Sequence, residues 1–220
     1  GVGGYRDEEL GTLGAVNYGG EHFTCFQFHY DWRRDNVENA DRLHEFIQSR
    51  RSAVQAALQE KYGVEDADVK FDIVAHSMGG LVARYYLMYG TADLPPGNAP
   101  PEPTWAGARH VDRAILVGTP NAGSVNAFTQ LVYGVTLAPI LPKFEPALIG
   151  TMPAVYQLLP RIRHAAVVAD DAQETPIDFF DPTIWERMEW GLASPEQDSV
   201  LRVLMPDVES TAARIEIARD

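Results

Sequence analysis

The sequence predicts an α/β fold built on a parallel sheet, and three observations carry that prediction. Short apolar runs alternate with longer segments of helical periodicity, the pattern of strands joined by crossover helices. The stretch FDIVAHSMGGLVARYYL, Phe71 to Leu87, passes from an apolar run through a turn of small residues straight into an amphipathic pattern. The 220 residues are 45% hydrophobic and 22% charged, a balance that buries a sizeable core and argues against wholesale disorder.

The elements follow in order. Val2 to Gly20 is Gly-rich, with a short helical possibility over Glu8 to Leu13. Phe23 to Tyr30, FTCFQFHY, alternates in part and is aromatic, so it reads as a strand. Its Cys25 is the chain's one cysteine, which excludes an internal disulfide and reads as a small buried hydrophobe rather than a catalytic thiol. Asp35, with Glu38 three residues on, is placed to cap a helix start. Val37, Ala40, Leu43, Ile47, Val54 and Leu58 then fall mainly on one helical face, and Gly63 is a stop signal. Val69 to Ala75 is a second strand, Met78 to Tyr89 a second helix closed by Gly90, and Leu94 to Pro103 a Pro-rich loop. Val111 to Val117 completes a set of about three core strands. Ser124 to Pro160 differs: it is apolar, holds five prolines, and has Lys143 and Glu145 as its only charges. Asp170 to Glu189 is acidic and aromatic, and the chain closes on ESTAARIEIARD, a run of helix formers. The expected organisation is a core over 1–123, a helical cap over 124–198, and a terminal helical segment over 199–220 that returns to the core.

Charge and composition exclude several function classes. A formal charge of -13 argues against nucleic acid or an anionic membrane as the main partner. No stretch has the roughly 18 apolar residues of a membrane helix, and Gly1 to Leu10 has no signal-peptide pattern. With a single cysteine, these features favour a soluble, cytoplasmic setting. The six histidines are scattered without paired ligand spacing, so neither a metal site nor a cofactor is expected. A chain that opens on GVGGYRDEEL instead of Met reads as a piece of a longer gene product or a processed form.

The chemistry centres on Ser77. Ala75-His76-Ser77-Met78-Gly79 is a variant of the G-x-S-x-G elbow, in which a serine sits on a strained turn between strand and helix. The residues two before and two after crowd each other, so both must be small; Ala75 and Gly79 satisfy this, and Gly80 gives the helix room. Met78 would lend its backbone N–H to an oxyanion hole at the helix start. His76 is poorly aimed for a base and suits packing support of the elbow.

Four motifs together resemble the lecithin:cholesterol acyltransferase family of α/β-hydrolases. They are Tyr30-Asp31-Trp32-Arg33, Ala75 to Gly80 (AHSMGG), Gly118 to Ser124 (GTPNAGS), and Val155 to Pro160 (VYQLLP). The resemblance spans roughly Tyr5 to Trp190. It implies an α/β-hydrolase-type sheet with a helical cap insertion, Ser77 as nucleophile, and Met78 as oxyanion donor. It implies structural roles near the site for Asp31, Trp32 and Arg33, and a near-site loop of Gly118, Thr119, Pro120 and Asn121. It also implies an ester or lipid substrate, with transient lipid-surface contact through the cap. The apolar Ser124 to Pro160 segment matches the cap. It either covers an acyl-chain pocket or forms a buried helical hairpin, with Phe128, Tyr133, Phe144 and Tyr156 lining either one.

Two partners of Ser77 are missing from the sequence. In this fold an acid and then a histidine follow the serine in chain order. Asp207 is a weak acid candidate because Val200 to Met205 reads better as a helix end than as a strand, and no histidine follows His164. The loop that gives the first oxyanion amide is also missing. The expectation is therefore a central part of a serine-dependent lipid or ester acyl hydrolase or O-acyltransferase, inactive as this piece. The alternatives are a non-catalytic binding protein on a hydrolase scaffold and a peptide or amide hydrolase.

Overall fold

The computed structural model describes residues 25–95, 101–136, 140, 142–170, 175–208 and 213. The Gly-rich start with its helical possibility over Glu8 to Leu13, Phe23 and Thr24 of the first expected strand, and nearly all of the terminal ESTAARIEIARD lie outside the described residues. The chain divides into two compact units.

The first unit holds the described residues up to Asp31, Val37–Ala75 and Val82–Val117. Helix α1 (Asn36–Tyr62) starts directly after Asp35, with Glu38 in its first turn and Lys61 in its last, both placed to suit the helix dipole. Ala40, Leu43 and Ile47 form its buried stripe, while Val54 and Leu58 further along are only half-buried. The helix closes as expected at Gly63, whose N–H meets the Gln59 carbonyl at 2.9 Å. Strand β1 (Phe71–His76) begins two residues later than expected, because Val69 N–H turns back to the Ala67 carbonyl at 3.0 Å. Phe71, Ile73 and Ala75 face inward, and Asp72, Val74 and His76 outward. Helix α2 (Gly79–Tyr89) buries Val82, Ala83 and Tyr86, and Gly90, at φ 65°, ends it in the left-handed conformation that glycine adopts without strain. Strand β2 (Val111–Val117) pairs with β1 in a two-stranded parallel sheet.

Two expectations for the aromatic run need correction. No strand is assigned over residues 25–30, although exposure alternates residue by residue as in a strand. Its even-numbered rings pack by side chain instead: Phe26 meets Phe71 edge-on at 6.1 Å, and Phe28 lies 5.4 Å from Phe46 of α1. That alternation also puts Cys25 on the outward side with Gln27 and His29, so the thiol is exposed, not buried.

The second unit gathers Trp32–Asn36, His76–Leu81 and the chain from Gly118 onward. Its helices are α3 (Val125–Tyr133), α4 (Pro146–Ile149), α5 (Pro153–Gln157), α6 (Pro182–Met188) and α7 (Asp198–Leu204). Proline opens three of them, where its missing N–H leaves no helical bond unmade. Asp181 caps α6 by accepting the Thr183 N–H at 2.9 Å. Trp185, Tyr156, Leu131, Leu192 and Leu201 are almost wholly buried here. The Trp185 indole N–H donates to the Phe179 carbonyl at 2.9 Å, and Phe128 and Trp190 pack around its ring. Tyr133 is the exception among the four aromatics expected to line this segment. It is two residues from buried Leu131, hence on another face of α3, and is 68% exposed. Residues 198–204 are helical, and Asp207 stands exposed in the turn beyond. No described helix is long and apolar enough to cross a membrane.

Candidate active site

Ser77 occupies the junction of β1 and α2 with φ 53°, the left-handed region that a side chain rarely enters. Holding a non-glycine residue there costs on the order of 1–3 kcal/mol, so the surrounding structure must impose it. Two turn bonds carry the chain straight from Ser77 into α2: the Ser77 carbonyl accepts the Gly80 N–H at 3.0 Å, and the Met78 carbonyl accepts the Leu81 N–H at 2.9 Å. Ala75 and Met78 are buried on either side, while Ser77 itself is exposed. His76 is exposed too; strand alternation aims it outward with Asp72 and Val74, so it does not pack beneath the turn. Among the described residues no side chain is hydrogen-bonded to the Ser77 hydroxyl. His164, the last histidine, lies in the 3₁₀ turn Ile162–His164, where its Nε2 accepts from the Arg163 Nε at 3.3 Å.

The parts of the motifs that fall in the second unit, His76–Gly80, Gly118–Ser124 and Val155–Pro160, are joined by a series of contacts that ends at the turn carrying Trp32. Gly80 lies so close to Thr119 that a Cβ would overlap the threonine side chain; only glycine admits the GTP turn against the start of α2. The Thr119 Oγ1 is buried at this contact without a hydrogen-bond partner. Gly118, at φ 59°, launches the turn, and Asn121 N–H returns to the Thr119 carbonyl at 2.8 Å. Gly123 N–H meets the Pro120 carbonyl at 2.9 Å, and a Cβ on Gly123 would strike the Pro160 backbone at 2.5 Å. Ser124 N–H donates to the Leu158 carbonyl at 2.7 Å, so GTPNAGS and VYQLLP are joined through their backbones. Gln157 then reaches the turn after Trp32: its Oε1 accepts the Asn36 N–H at 2.9 Å, and its Nε2 donates to Asp35 Oδ1 at 2.8 Å.

The apolar side of this assembly is tightly filled. A cavity of about 20 Å³ lies between Trp32, Val135, Phe144, Ile149, Met152 and Val155. It has room for one water or a methyl group and is far too small for an acyl chain. Tyr156, next to Gln157, is buried, and desolvation holds its phenol far above the ordinary range, so it stays protonated.

A parallel β-α-β arrangement with a left-handed serine at its first strand's end defines a protein of the α/β class. The sequence model described as lecithin:cholesterol acyltransferase matches residues 13–199, and the chain belongs to that family, whose chemistry is acyl transfer and lipid ester hydrolysis. No curated protein and no solved structure matches the chain significantly.

Sequence reasoning brought Ser77, Gly80 and the GTP turn forward but missed what Gln157 does. The available signal was an amide side chain inside the otherwise apolar run from Met152 to Pro160. Asn39 was missed as well: it is completely buried in α1, and its Nδ2 donates to the Asp31 carbonyl at 3.0 Å, steadying the entry to the Asp31-Trp32-Arg33 turn.

Proposed function

We propose that Ser77 is the nucleophile of a serine-dependent lipid or ester acyl hydrolase or O-acyltransferase. The observation that supports this best is its strained φ of 53° at the end of β1, with the chain entering α2 at once. Ser77 Oγ adds to an ester carbonyl carbon, and the bond to the alcohol oxygen breaks. The serine proton ends on the departing alcohol, and an acyl-enzyme is left. Water or a second alcohol then attacks the acyl carbon and regenerates the serine. Met78 N–H, in the turn just before α2, would face the oxyanion. Ala75, Gly79 and Gly80 keep the turn compact, and Gly118, Thr119, Pro120 and Asn121 wall it.

In this reading the base and acid are not among these 220 residues, and the sheet continues past β1 and β2. Its support is the exposure of apolar sheet positions, Val74 at 70%, Ile115 at 52% and Val117 at 46%, which a larger sheet with helices packed on its face would cover. This chain alone is then catalytically silent. Turnover of p-nitrophenyl esters by the 220-residue chain, lost in Ser77→Ala, would show that a base is present and refute that silence. Fluorophosphonate labelling of a longer product carrying these residues tests the nucleophile; a label anywhere but Ser77 removes the proposal.

A further inference from the structure

Gln157 engages a single turn with both ends of its carboxamide. Asn36 opens α1, and its N–H is one of the amides at a helix start that has no acceptor within the helix. Such amides are ordinarily satisfied by the residue just before the helix or by water. Here the acceptor, Gln157 Oε1, comes from 121 residues away, and Gln157 Nε2 binds Asp35, the residue preceding the helix. The same fold uses the device a second time. Gln197 is 8% exposed, and its Oε1 accepts the Ala147 N–H in the first turn of α4 at 3.1 Å.

The turn that Gln157 holds carries Trp32, and Trp32 shares the small apolar cavity with Met152 and Val155, neighbours of Gln157 in sequence. We propose that Gln157 is a positioning residue, an amide latch that fixes the Trp32–Asn36 turn against residues 152–157 and so sets Trp32 as the cavity wall. The latch needs an acceptor facing Asn36 and a donor facing Asp35, and a primary amide supplies both. A carboxylate of the same length supplies the acceptor but brings like charge against Asp35, and the pair closes only when one proton is shared between them. Replacing Asp35 by asparagine in that background puts a donor opposite the carboxylate and completes the latch with its polarity reversed. The proposal is independent of whether Ser77 is reactive.

The experiment uses the whole chain and reads two signals: hydrogen exchange of the Asn36 amide, corrected for its intrinsic rate, and the ¹⁹F resonance of 5-fluorotryptophan at position 32, assigned through Trp32→Phe. At neutral pH, Gln157→Glu should exchange the Asn36 amide roughly five- to thirtyfold faster than the parent and shift the Trp32 resonance. Most of that change should disappear as the pH is lowered to about 4, once a close carboxylate pair has taken up one proton. The double variant Asp35→Asn, Gln157→Glu should return both signals to near the parent at neutral pH. A role that consists only of filling space gives neither pH dependence nor rescue, so exchange in Gln157→Glu that does not vary with pH, or a double variant no better than the single, overturns the proposal. Should Gln157→Glu fail to fold at neutral pH, the double variant decides alone: folding with a protected Asn36 amide supports the latch, and failure to fold refutes it.

Discussion

The two units of this molecule bury their side chains very differently. The sheet unit has a modest core of Ala40, Leu43, Ile47, Val82 and Tyr86, and leaves Val74, Ile115 and Val117 of its strands in solvent. The unit that carries most of the motif residues encloses Trp185, Tyr156, Leu131, Leu192 and Leu201 almost completely, with aromatic rings around Trp185. The difference teaches where this chain's order originates. The motif-bearing unit has the larger enclosed core and packs its turns against it, while the sheet unit has a small core and strands with apolar side chains on their exposed side.

The sharpest way to break that comparison is to cut the larger core. Trp185→Ala removes a side chain that is 1% exposed and should cost about 3–5 kcal/mol in urea unfolding. A loss under about 1 kcal/mol would mean that this core is not closed. Next in size is Gly123→Ala. Its φ of 90° and the Pro160 backbone both oppose a Cβ, and a loss of about 2 kcal/mol or more is expected, because rigid backbone cannot yield.

The alkaline limit is shared by both units, since burial raises Tyr30 and Tyr86 in the sheet unit as well as Tyr156 in the motif-bearing unit. Tyr156 is raised by burial in the motif-bearing unit, so its contribution is complete below the unfolded value of about 10 and falls as pH rises beyond it. His110 in the sheet unit is lowered, first by desolvation and then by Arg51, His44 and Arg109, with Asp68 opposing. A neutral histidine favoured by the fold gives stability that is complete above about pH 6.5 and declines as pH falls. Stability measured against pH should therefore lose part of its alkaline decline in Tyr156→Phe and part of its acid decline in His110→Gln. An alkaline decline unchanged in Tyr156→Phe, or an acid decline unchanged in His110→Gln, would contradict these assignments. The smallest effect belongs to the uncovered strands: Val74→Thr or Ile115→Thr should change stability by no more than about 0.5 kcal/mol, since solvent already reaches both.

Local chemistry was legible in the sequence, and contacts between distant segments were not. The stripe Ala40, Leu43, Ile47 and the glycine stops at 63 and 90 follow from periodicity and backbone freedom, and the structure has them. The small residues around Ser77 foretold a tight turn, and its φ is left-handed. The aromatic run at residues 25–30 shows the limit. Its alternation was readable, but which side faces the helix is a matter of register, and one residue's difference sends Cys25 outward instead of inward. Tyr133 failed for the same kind of reason on a helix. Gln157 and Thr119 act across 121 and 39 residues (157 − 36 and 119 − 80), and no local pattern records such pairs.

The central claim is that the structure forces Ser77 into a left-handed backbone at the end of β1. Comparing Ser77→Gly with Ser77→Ala by chemical unfolding tests it most directly. Glycine relieves the strain and alanine does not, so Ser77→Gly should be more stable than Ser77→Ala by about 1 kcal/mol or more. Equal stabilities, or alanine the more stable of the two, would contradict the account.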